Sequence, residues 1–217
     1  MRRFFHLTAA LLLCLTLISC TPAAPVSQKP DPTPRPPLLI YLDAGHGAHD
    51  PGAMSPDGRM EKDDVLRLTL AVRDLLLAEG IDVRITREDD TYLELIDRCT
   101  LANEAGATHF VSFHRNSGGA SGVEIWINLF PTDEAVFMAN AILEALDSVG
   151  IARNRGVKRG TASGNGSDYA MNNGTRMPSC LVELGFMDSE EDNRLFDEHF
   201  ESYARAISDG ILSLQSP

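Results

Sequence analysis

The stretch Tyr41-Leu42-Asp43-Ala44-Gly45-His46-Gly47-Ala48-His49-Asp50-Pro51-Gly52 decides the fold prediction, because it joins a buried strand to a tight turn. The apolar run over residues 38–42 is typical of a short buried strand. Glycine on both sides of His46 lets the backbone bend sharply and leaves the imidazole uncrowded. His46 is therefore predicted at a strand end, as a metal ligand, a catalytic base or a loop histidine bonded to nearby backbone.

The N-terminal residues 1–19 have the pattern of a secretory signal. Arg2 and Arg3 precede an apolar run over residues 7–18, which is shorter than the roughly 18 residues that a membrane-spanning helix needs. Leu17-Ile18-Ser19-Cys20 resembles a lipobox, where the signal is removed and the cysteine is acylated. The mature chain is therefore predicted to begin at a lipidated Cys20; an ordinary signal peptide is the alternative.

A proline-rich segment separates Cys20 from the rest of the chain. Residues 21–37 contain seven prolines among Thr, Ser, Gln and Lys, a composition that favours extended polyproline II and cannot pack a core. Residues 20–37 are therefore predicted to be a tether, able to reach up to roughly 50 Å at about 3.1 Å per residue. The remaining residues, 38–217, suffice for one domain with a substantial core.

The charge of the chain argues against nucleic acid and anionic lipid as ligands. The net charge is −12, and loss of residues 1–19 removes two arginines and no acid, which makes the mature charge about −14.

Two cysteines, Cys99 and Cys180, remain in the predicted domain, each within an apolar pattern. Export permits a disulfide between them, but two buried free thiols are the favoured prediction.

Strand and helix patterns alternate along the domain, which predicts an α/β fold with a mainly parallel sheet and helices on both faces. The stretch 151–178, rich in Gly, Asn and Ser, is predicted to be a rim loop with one short strand near Tyr169. The predicted strands are 38–42, 81–85, 108–113, 122–127 and 179–182, and the predicted helices are 61–79, 92–105, 132–149, 189–197 and 199–214.

Four polar side chains fall where these elements meet. His46, His114 and Glu183 each directly follow an apolar strand, and Glu61 opens the first helix. Carboxyl ends of parallel strands share one edge of a sheet, so these residues are expected to converge there. Two histidines and a glutamate form one of the recognised catalytic zinc sets, with Glu183 outside it as general base. Alternatively, Glu61 only counters the helix dipole and Glu183 pairs with an arginine.

The motifs resemble those of the zinc-dependent N-acetylmuramoyl-L-alanine amidases of bacterial cell-wall turnover, over about residues 40 to 200. The matching segments are Asp43-Ala44-Gly45-His46-Gly47, Asp50-Pro51-Gly52-Ala53, Glu61-Lys62-Asp63, Thr86-Arg87, Leu95-x-x-Arg98-x-x-x-Ala102-Asn103, Val111-Ser112-Phe113-His114-Arg115-Asn116, Gly122-Val123-Glu124, Arg155-Gly156-Val157-Lys158, Met177-Pro178 and Leu181-Val182-Glu183-Leu184-Gly185-Phe186.

The resemblance implies a single domain built on a twisted six-stranded sheet, and hydrolysis of the amide between N-acetylmuramic acid and L-alanine of the stem peptide. It implies that His46, Glu61 and His114 bind one Zn²⁺ and that Glu183 is the catalytic glutamate acting with zinc-activated water. Peptidoglycan is then the partner of a monomeric catalytic domain. The expected location is a membrane-anchored lipoprotein that faces the cell wall or periplasm.

Arg115 departs from the family pattern, which usually has a small residue after the second histidine. Arg115 and the adjacent Asn116 are predicted to bind substrate, the guanidinium holding a stem-peptide carboxylate at the rim of the cleft. No long insertion able to hold a blocking helix is evident, which favours constitutive activity. The alternatives are a zinc peptidase or deacetylase of the same polymer, or a wall-binding lipoprotein that keeps the fold without the chemistry.

Overall fold

Six strands form one sheet in the computed structural model, which describes residues 37–215. The strands are β1 Leu39–Ala44, β2 Asp82–Ile85, β3 His109–Asn116, β4 Val123–Ile127, β5 Asn154–Arg159 and β6 Ser179–Phe186. The helices are α1 Glu61–Ala78, α2 Leu95–Glu104, α3 Asp133–Ser148, α4 Ala170–Gly174, α5 Glu190–Glu198 and α6 Phe200–Leu212. The predicted signal, the lipidated Cys20 and nearly all of the predicted tether lie outside the described residues.

The sheet is mainly parallel, as predicted. Its strand order is β2-β1-β3-β6-β4-β5, and every neighbouring pair is parallel except β4 with β6. The four interior strands β1, β3, β6 and β4 are almost entirely buried, as expected for strands that helices cover on both faces. The edge strand β5 is polar and only partly buried.

Helices cover both faces of the sheet. Alternate residues of β1 show the division: Ile40 and Leu42 join a large core with α1, α3 and α6, whereas Tyr41 joins a smaller core with residues of α2 and α4. Cys180 belongs to the large core and Cys99 to the small one, and both are free thiols, as predicted. None of the helices within residues 37–215 is long and apolar enough to cross a membrane.

The prediction for residues 151–178 was wrong. The strand of this region is β5, at residues 154–159, and the residues that follow Tyr169 form the short helix α4. The sequence pattern hid β5 because an edge strand needs no apolar alternation and because Gly156 interrupts it.

The predicted ends of two strands were also too early. His114 and Glu183 lie within β3 and β6 and not beyond them, since the two strands continue to pair past both residues.

Candidate active site

Two buried arginines hold the turn that carries His46. Arg98 donates hydrogen bonds to the carbonyls of Ala44 and His46, each at 2.6 Å, and Arg87 donates to those of Ala44 and Gly45, each at 2.9 Å. His46 has a left-handed φ of 62°, a conformation that costs a residue with a Cβ about 1–3 kcal/mol. The arginine donors offset this strain and fix the direction of the imidazole.

Glycine at position 45 allows the turn to approach the next strand closely. A Cβ at Gly45 would lie 2.3 Å from Cε1 of His114, which is well inside van der Waals contact. The turn is also anchored through Asp43, which is completely buried and accepts hydrogen bonds from Ser112 Oγ at 2.6 Å and Arg98 at 2.9 Å. Burial opposes ionisation of Asp43, but the Arg98 charge and the hydrogen bond from the Ser112 hydroxyl outweigh it and lower the pKa of Asp43.

The three residues predicted as metal ligands converge. His46 Nε2 lies 3.1 Å from His114 Nδ1 and 3.0 Å from Glu61 Oε1, and His114 Nδ1 lies 2.9 Å from Glu61 Oε1. Ligands of a tetrahedral zinc ion, each at about 2.0–2.1 Å from the metal, are separated by about 3.3 Å. The three donor atoms therefore form a candidate metal site of suitable size and chemistry.

Hydrogen bonds from the protein orient these donors. His46 Nδ1 lies 2.8 Å from Asp50 Oδ2, so the other ring nitrogen faces the cluster. Glu61 Oε2 accepts from the backbone N–H of Ala53 at 2.7 Å, and Glu61 Oε1 accepts from that of Arg115 at 2.9 Å. The sequence assigned no role to Asp50, although it belongs to a segment that matches the family. Its position four residues after His46 could have indicated that the two side chains interact.

Electrostatics in the cluster favour a charged carboxylate. Burial opposes ionisation of Glu61, but hydrogen bonds from His114 and His46 outweigh it and hold the pKa of Glu61 far below its usual value. Burial likewise disfavours the imidazolium of His114, but the Glu61 carboxylate outweighs it and raises the pKa of His114 to about 9. Glu61 is therefore an anion at neutral pH, as a metal ligand must be.

Glu183 lies beside this cluster on the same face of the sheet. It is the register partner of His114 across β3 and β6, and neighbouring register partners point to the same side. Burial raises the pKa of Glu183 to about 7, and its Oε2 atom is buried without a hydrogen-bond partner in the described structure. An unpaired buried carboxylate next to a candidate metal site is suited to accept and return a proton.

A cleft of about 290 Å³ opens beside the cluster. His46, His114 and Asp50 form part of its wall, and Tyr92, Leu93, Leu95 and Met171 supply an apolar side. Clefts with apolar walls and a few convergent polar groups are the usual form of small-molecule sites. Substrate can therefore approach the two histidines from solvent.

The prediction that Arg115 lines the rim was wrong. Its side chain is fully buried on the opposite face of β3, where it forms an ion pair with Asp64 and lies 4.5 Å above the Phe196 ring. Successive strand residues alternate between faces, so a residue next to His114 within β3 points away from it. Asn116 points back toward the site and donates to Glu124 Oε1 at 3.1 Å; substrate binding by Asn116 stays a prediction.

Sequence reasoning missed Glu124, the register partner of Glu183 on β4. Its buried carboxylate accepts hydrogen bonds from Trp126 Nε1, Arg155 Nε and Lys158 Nζ in addition to Asn116. Glu124 lies in one segment that matches the family, and Arg155 and Lys158 lie in another. The spacing of the two segments in the sequence did not indicate that these side chains are in contact.

Comparison with known proteins agrees with this geometry. The profile of one protein family, N-acetylmuramoyl-L-alanine amidase, matches residues 40–213. The chain belongs to this family. Among its relatives, a sporulation-specific N-acetylmuramoyl-L-alanine amidase of Bacillus subtilis is 35% identical over 181 residues, which cover 80% of this amidase and 67% of the relative. The Bacillus subtilis protein YqiI is 36% identical and matches over 97% of both chains.

The fold of the amidase agrees with solved structures of the family. The N-acetylmuramoyl-L-alanine amidase AmiC2 of Nostoc punctiforme superposes with a TM-score of 0.74 at 31% identity, covering 83% of this amidase and 98% of AmiC2. The predicted family, fold class and enzyme class are therefore confirmed. The amidase is a peptidoglycan hydrolase that cleaves between N-acetylmuramic acid and L-alanine.

Proposed function

We propose that the amidase is zinc-dependent, with His46, Glu61 and His114 as ligands of one Zn²⁺ and Glu183 as the general base and acid. The observation that carries this proposal is the convergence of three donor atoms within about 3 Å of each other, beside the unpaired carboxylate of Glu183. The donor set of two imidazoles and one carboxylate suits zinc and leaves one coordination position open. When bound, zinc supplies Lewis-acid polarisation of the scissile carbonyl and activation of water.

Glu183 moves the proton in this mechanism. Its carboxylate takes a proton from the attacking water and delivers it to the nitrogen of L-alanine as the amide bond breaks. A pKa near 7 serves both steps at neutral pH, because about half of the carboxylates are ionised and able to accept a proton, and the protonated form readily gives it up. Asp50, Ala53 and the two turn arginines keep the ligands in place and take no part in proton transfer.

Glu183→Gln tests the division of roles. The variant should retain one equivalent of zinc and lose turnover by about 10²–10⁴-fold, since the amide keeps the shape but cannot accept a proton. Zinc content is measured by elemental analysis and turnover by release of soluble wall fragments. Loss of zinc from this variant would make Glu183 a ligand and refute its role as the base.

The products separate the amidase reaction from its enzymatic alternatives. Mass analysis of digested peptidoglycan should show intact stem peptides with a free L-alanine amino group and lactyl carboxylates on the glycan. Shortened stem peptides would indicate a peptidase, and N-deacetylated sugars would indicate a deacetylase. Unaltered peptidoglycan in the presence of a zinc-loaded protein would indicate a wall-binding protein without catalysis.

The proposed location is the outer side of a membrane, with peptidoglycan as the partner of a monomeric domain. This proposal rests on the lipobox before Cys20 and on the proline-rich residues 21–37. Cys20→Ser should move the protein from the membrane fraction to the soluble fraction without changing the activity of the domain. Recovery of this variant in the membrane fraction would contradict the lipid anchor.

A further inference from the structure

Positive charge is concentrated on and beside β5, where the proposed chemistry does not use it. The chain as a whole has a net charge of −12, yet the segment between Asp147 and Asp168 contains no acidic residue. The basic residues of this segment are Arg153, Arg155, Lys158 and Arg159. Arg153 and Arg159 are exposed, whereas Arg155 and Lys158 are only partly so. Arg155 and Lys158 are therefore packed against the rest of the domain, unlike the two exposed arginines.

A β-bulge places Arg155 and Lys158 on one face of the sheet. Side chains three residues apart on a regular strand point to opposite faces. Two register pairs of β4 and β5, however, are separated by two residues on β4 and by three on β5. Gly156 supplies the left-handed φ of 85° that a glycine bulge needs. The extra residue thus brings both cations to the face that carries Glu183.

Glu124 fixes the two cations without cancelling their charge. Its Oε2 atom accepts from Arg155 Nε and from Lys158 Nζ, each at 2.6 Å, and its side chain is only 3% exposed. One carboxylate between two cations leaves a net charge of +1. The side chains of Arg155 and Lys158 are 23% and 31% exposed, so solvent reaches both cations. Arg155 Nη1 also donates to the Ser121 carbonyl at 3.3 Å, which leaves Nη2 of Arg155 and two N–H groups of Lys158 for a ligand.

The strand order sets the approximate distance between the two cations and Glu183. Glu183 is the register partner of His114 on one side and of Glu124 on the other, so the three side chains form a row across the sheet. β5 lies two strands from β6, about 10 Å at the usual strand spacing. Two extended residues of a stem peptide span about 7 Å, and both cationic side chains are long. A carboxylate on the second stem residue can therefore reach them.

We propose that Arg155 and Lys158, oriented by Glu124, form the subsite that binds a carboxylate of the stem peptide near the scissile amide. The proposal rests on the proposed function, because the row of side chains defines where the scissile bond lies. Arg155 donates from Nε to Glu124 and from Nη1 to the Ser121 carbonyl, which leaves Nη2 to donate to a carboxylate, and the ammonium of Lys158 adds a second charge-assisted bond. Arg155 thus takes the role that the sequence had suggested for Arg115.

Two matched substrates test this subsite. One is a muramoyl dipeptide whose second residue carries a free α-carboxylate, and the other has a carboxamide at that position. The wild-type enzyme should prefer the carboxylate by about tenfold in kcat/KM, the value of one good charge-assisted bond. Arg155→Gln and Lys158→Gln should each lower the preference, mainly by raising KM for the carboxylate substrate.

Arg159→Gln is the matched control, because it removes the same charge from the adjacent position of β5, which the register places on the opposite face. This control should keep the full preference for the carboxylate. An equal loss in Arg159→Gln would show general electrostatic attraction and overturn the subsite. A preference that survives in both Arg155→Gln and Lys158→Gln would also overturn it. Thermal unfolding of each variant checks that the domain is folded.

Binding separates failure of the subsite from failure of the proposed function. Calorimetry measures the affinity of zinc-loaded Glu183→Gln for the carboxylate and carboxamide peptides, independently of turnover. About tenfold tighter binding of the carboxylate, lost on adding Arg155→Gln, supports the subsite even if the reaction proposed above is wrong. Equal affinity for the two peptides overturns the subsite even if the amidase cleaves both.

Discussion

Arg115 is buried in the fold, on the face of β3 opposite the candidate active site. Its guanidinium is buried between Asp64 and the Phe196 ring, and Asn193 accepts a further hydrogen bond at 2.6 Å. Removing one partner of a buried ion pair costs about 3–5 kcal/mol, because the other charge stays buried. Asp64 would keep one partner in the Arg115→Ala variant, because Arg59 also pairs with it at 2.8 Å. We therefore expect this variant to lose about 3 kcal/mol of unfolding free energy in urea titrations, the lower end of that range.

A surface ion pair provides the control for this loss. Arg194 pairs with Glu198, and both side chains are more than half exposed, so Arg194→Ala should change the unfolding free energy by less than about 1 kcal/mol. The KM of folded Arg115→Ala for stem-peptide substrates should match that of the wild type. A large rise in KM without loss of stability would return Arg115 to the substrate site.

The residues of the candidate metal site could be predicted from the sequence, and the direction of Arg115 could not. His46 is marked by its two glycines, and His114 by the apolar run that precedes it. The prediction ended the strand at residue 113, which left Arg115 free to point anywhere. The ladder between β3 and β6 continues to Asn116, and only that continuation fixes the face of each side chain. Hydrogen-bond registers between distant strands are not visible in a local pattern.

At the scale of the strands, the row across β3, β6 and β4 contains two glutamates with opposite effects on stability. Burial raises the pKa of Glu183 from its usual 4.5 to about 7, so its ionisation opposes folding. The folded state favours the neutral carboxyl of Glu183, so the stability that this group contributes is fully present below its usual pKa of 4.5. This contribution decreases as pH rises and is lost above about 7. We expect Glu183→Gln to stabilise the metal-free protein by about 3 kcal/mol at pH 8, and by little below pH 4.5.

Ionisation of Glu124, next to Glu183 in the same row, stabilises the fold, whereas ionisation of Glu183 opposes it. Burial opposes its ionisation, but the hydrogen bonds from Arg155 and Lys158 outweigh burial and lower the pKa of Glu124. Glu124→Gln should therefore destabilise the protein at neutral pH, and the difference should vanish as pH falls through the lowered pKa. Urea unfolding in chelator, extended from pH 8 to well below the usual glutamate pKa of 4.5, measures both variants. Destabilisation by Glu183→Gln at pH 8 would contradict the penalty of the unpaired carboxylate.

The long amphipathic and buried elements follow from the sequence, whereas the short and irregular ones do not. Helix α1 begins at Glu61 as predicted, because the apolar spacing from Val65 to Leu76 specifies one buried face. Strand β5 lacks such a face, and its bulge at Gly156 breaks the alternation that would reveal it. The cationic subsite proposed above depends on that bulge. It therefore lies where local sequence patterns are least informative.

At the scale of the whole molecule, the candidate metal site joins parts of the chain that are far apart in sequence. His46 follows β1, Glu61 opens α1 and His114 lies on β3, so the three donors meet only when the sheet and α1 are assembled. A ligand that binds the folded state alone stabilises it by mass action, by about 2.7 kcal/mol at one hundred times its dissociation constant. For a domain of this size we expect zinc to raise the melting temperature by about 5–10 °C.

The pH dependence of this rise follows from His114. In the metal-free protein its pKa is raised to about 9, so the pair with Glu61 stabilises the fold below the usual histidine pKa of 6.5 and is lost as pH rises through 9. Zinc must displace that proton, so at fixed zinc concentration its affinity increases over the same range. The difference in melting temperature between zinc and chelator should therefore widen from pH 6.5 to 9, as followed by scanning fluorimetry. His46→Ala should abolish the difference, and a difference that stayed constant with pH would show that zinc does not compete with the proton on His114.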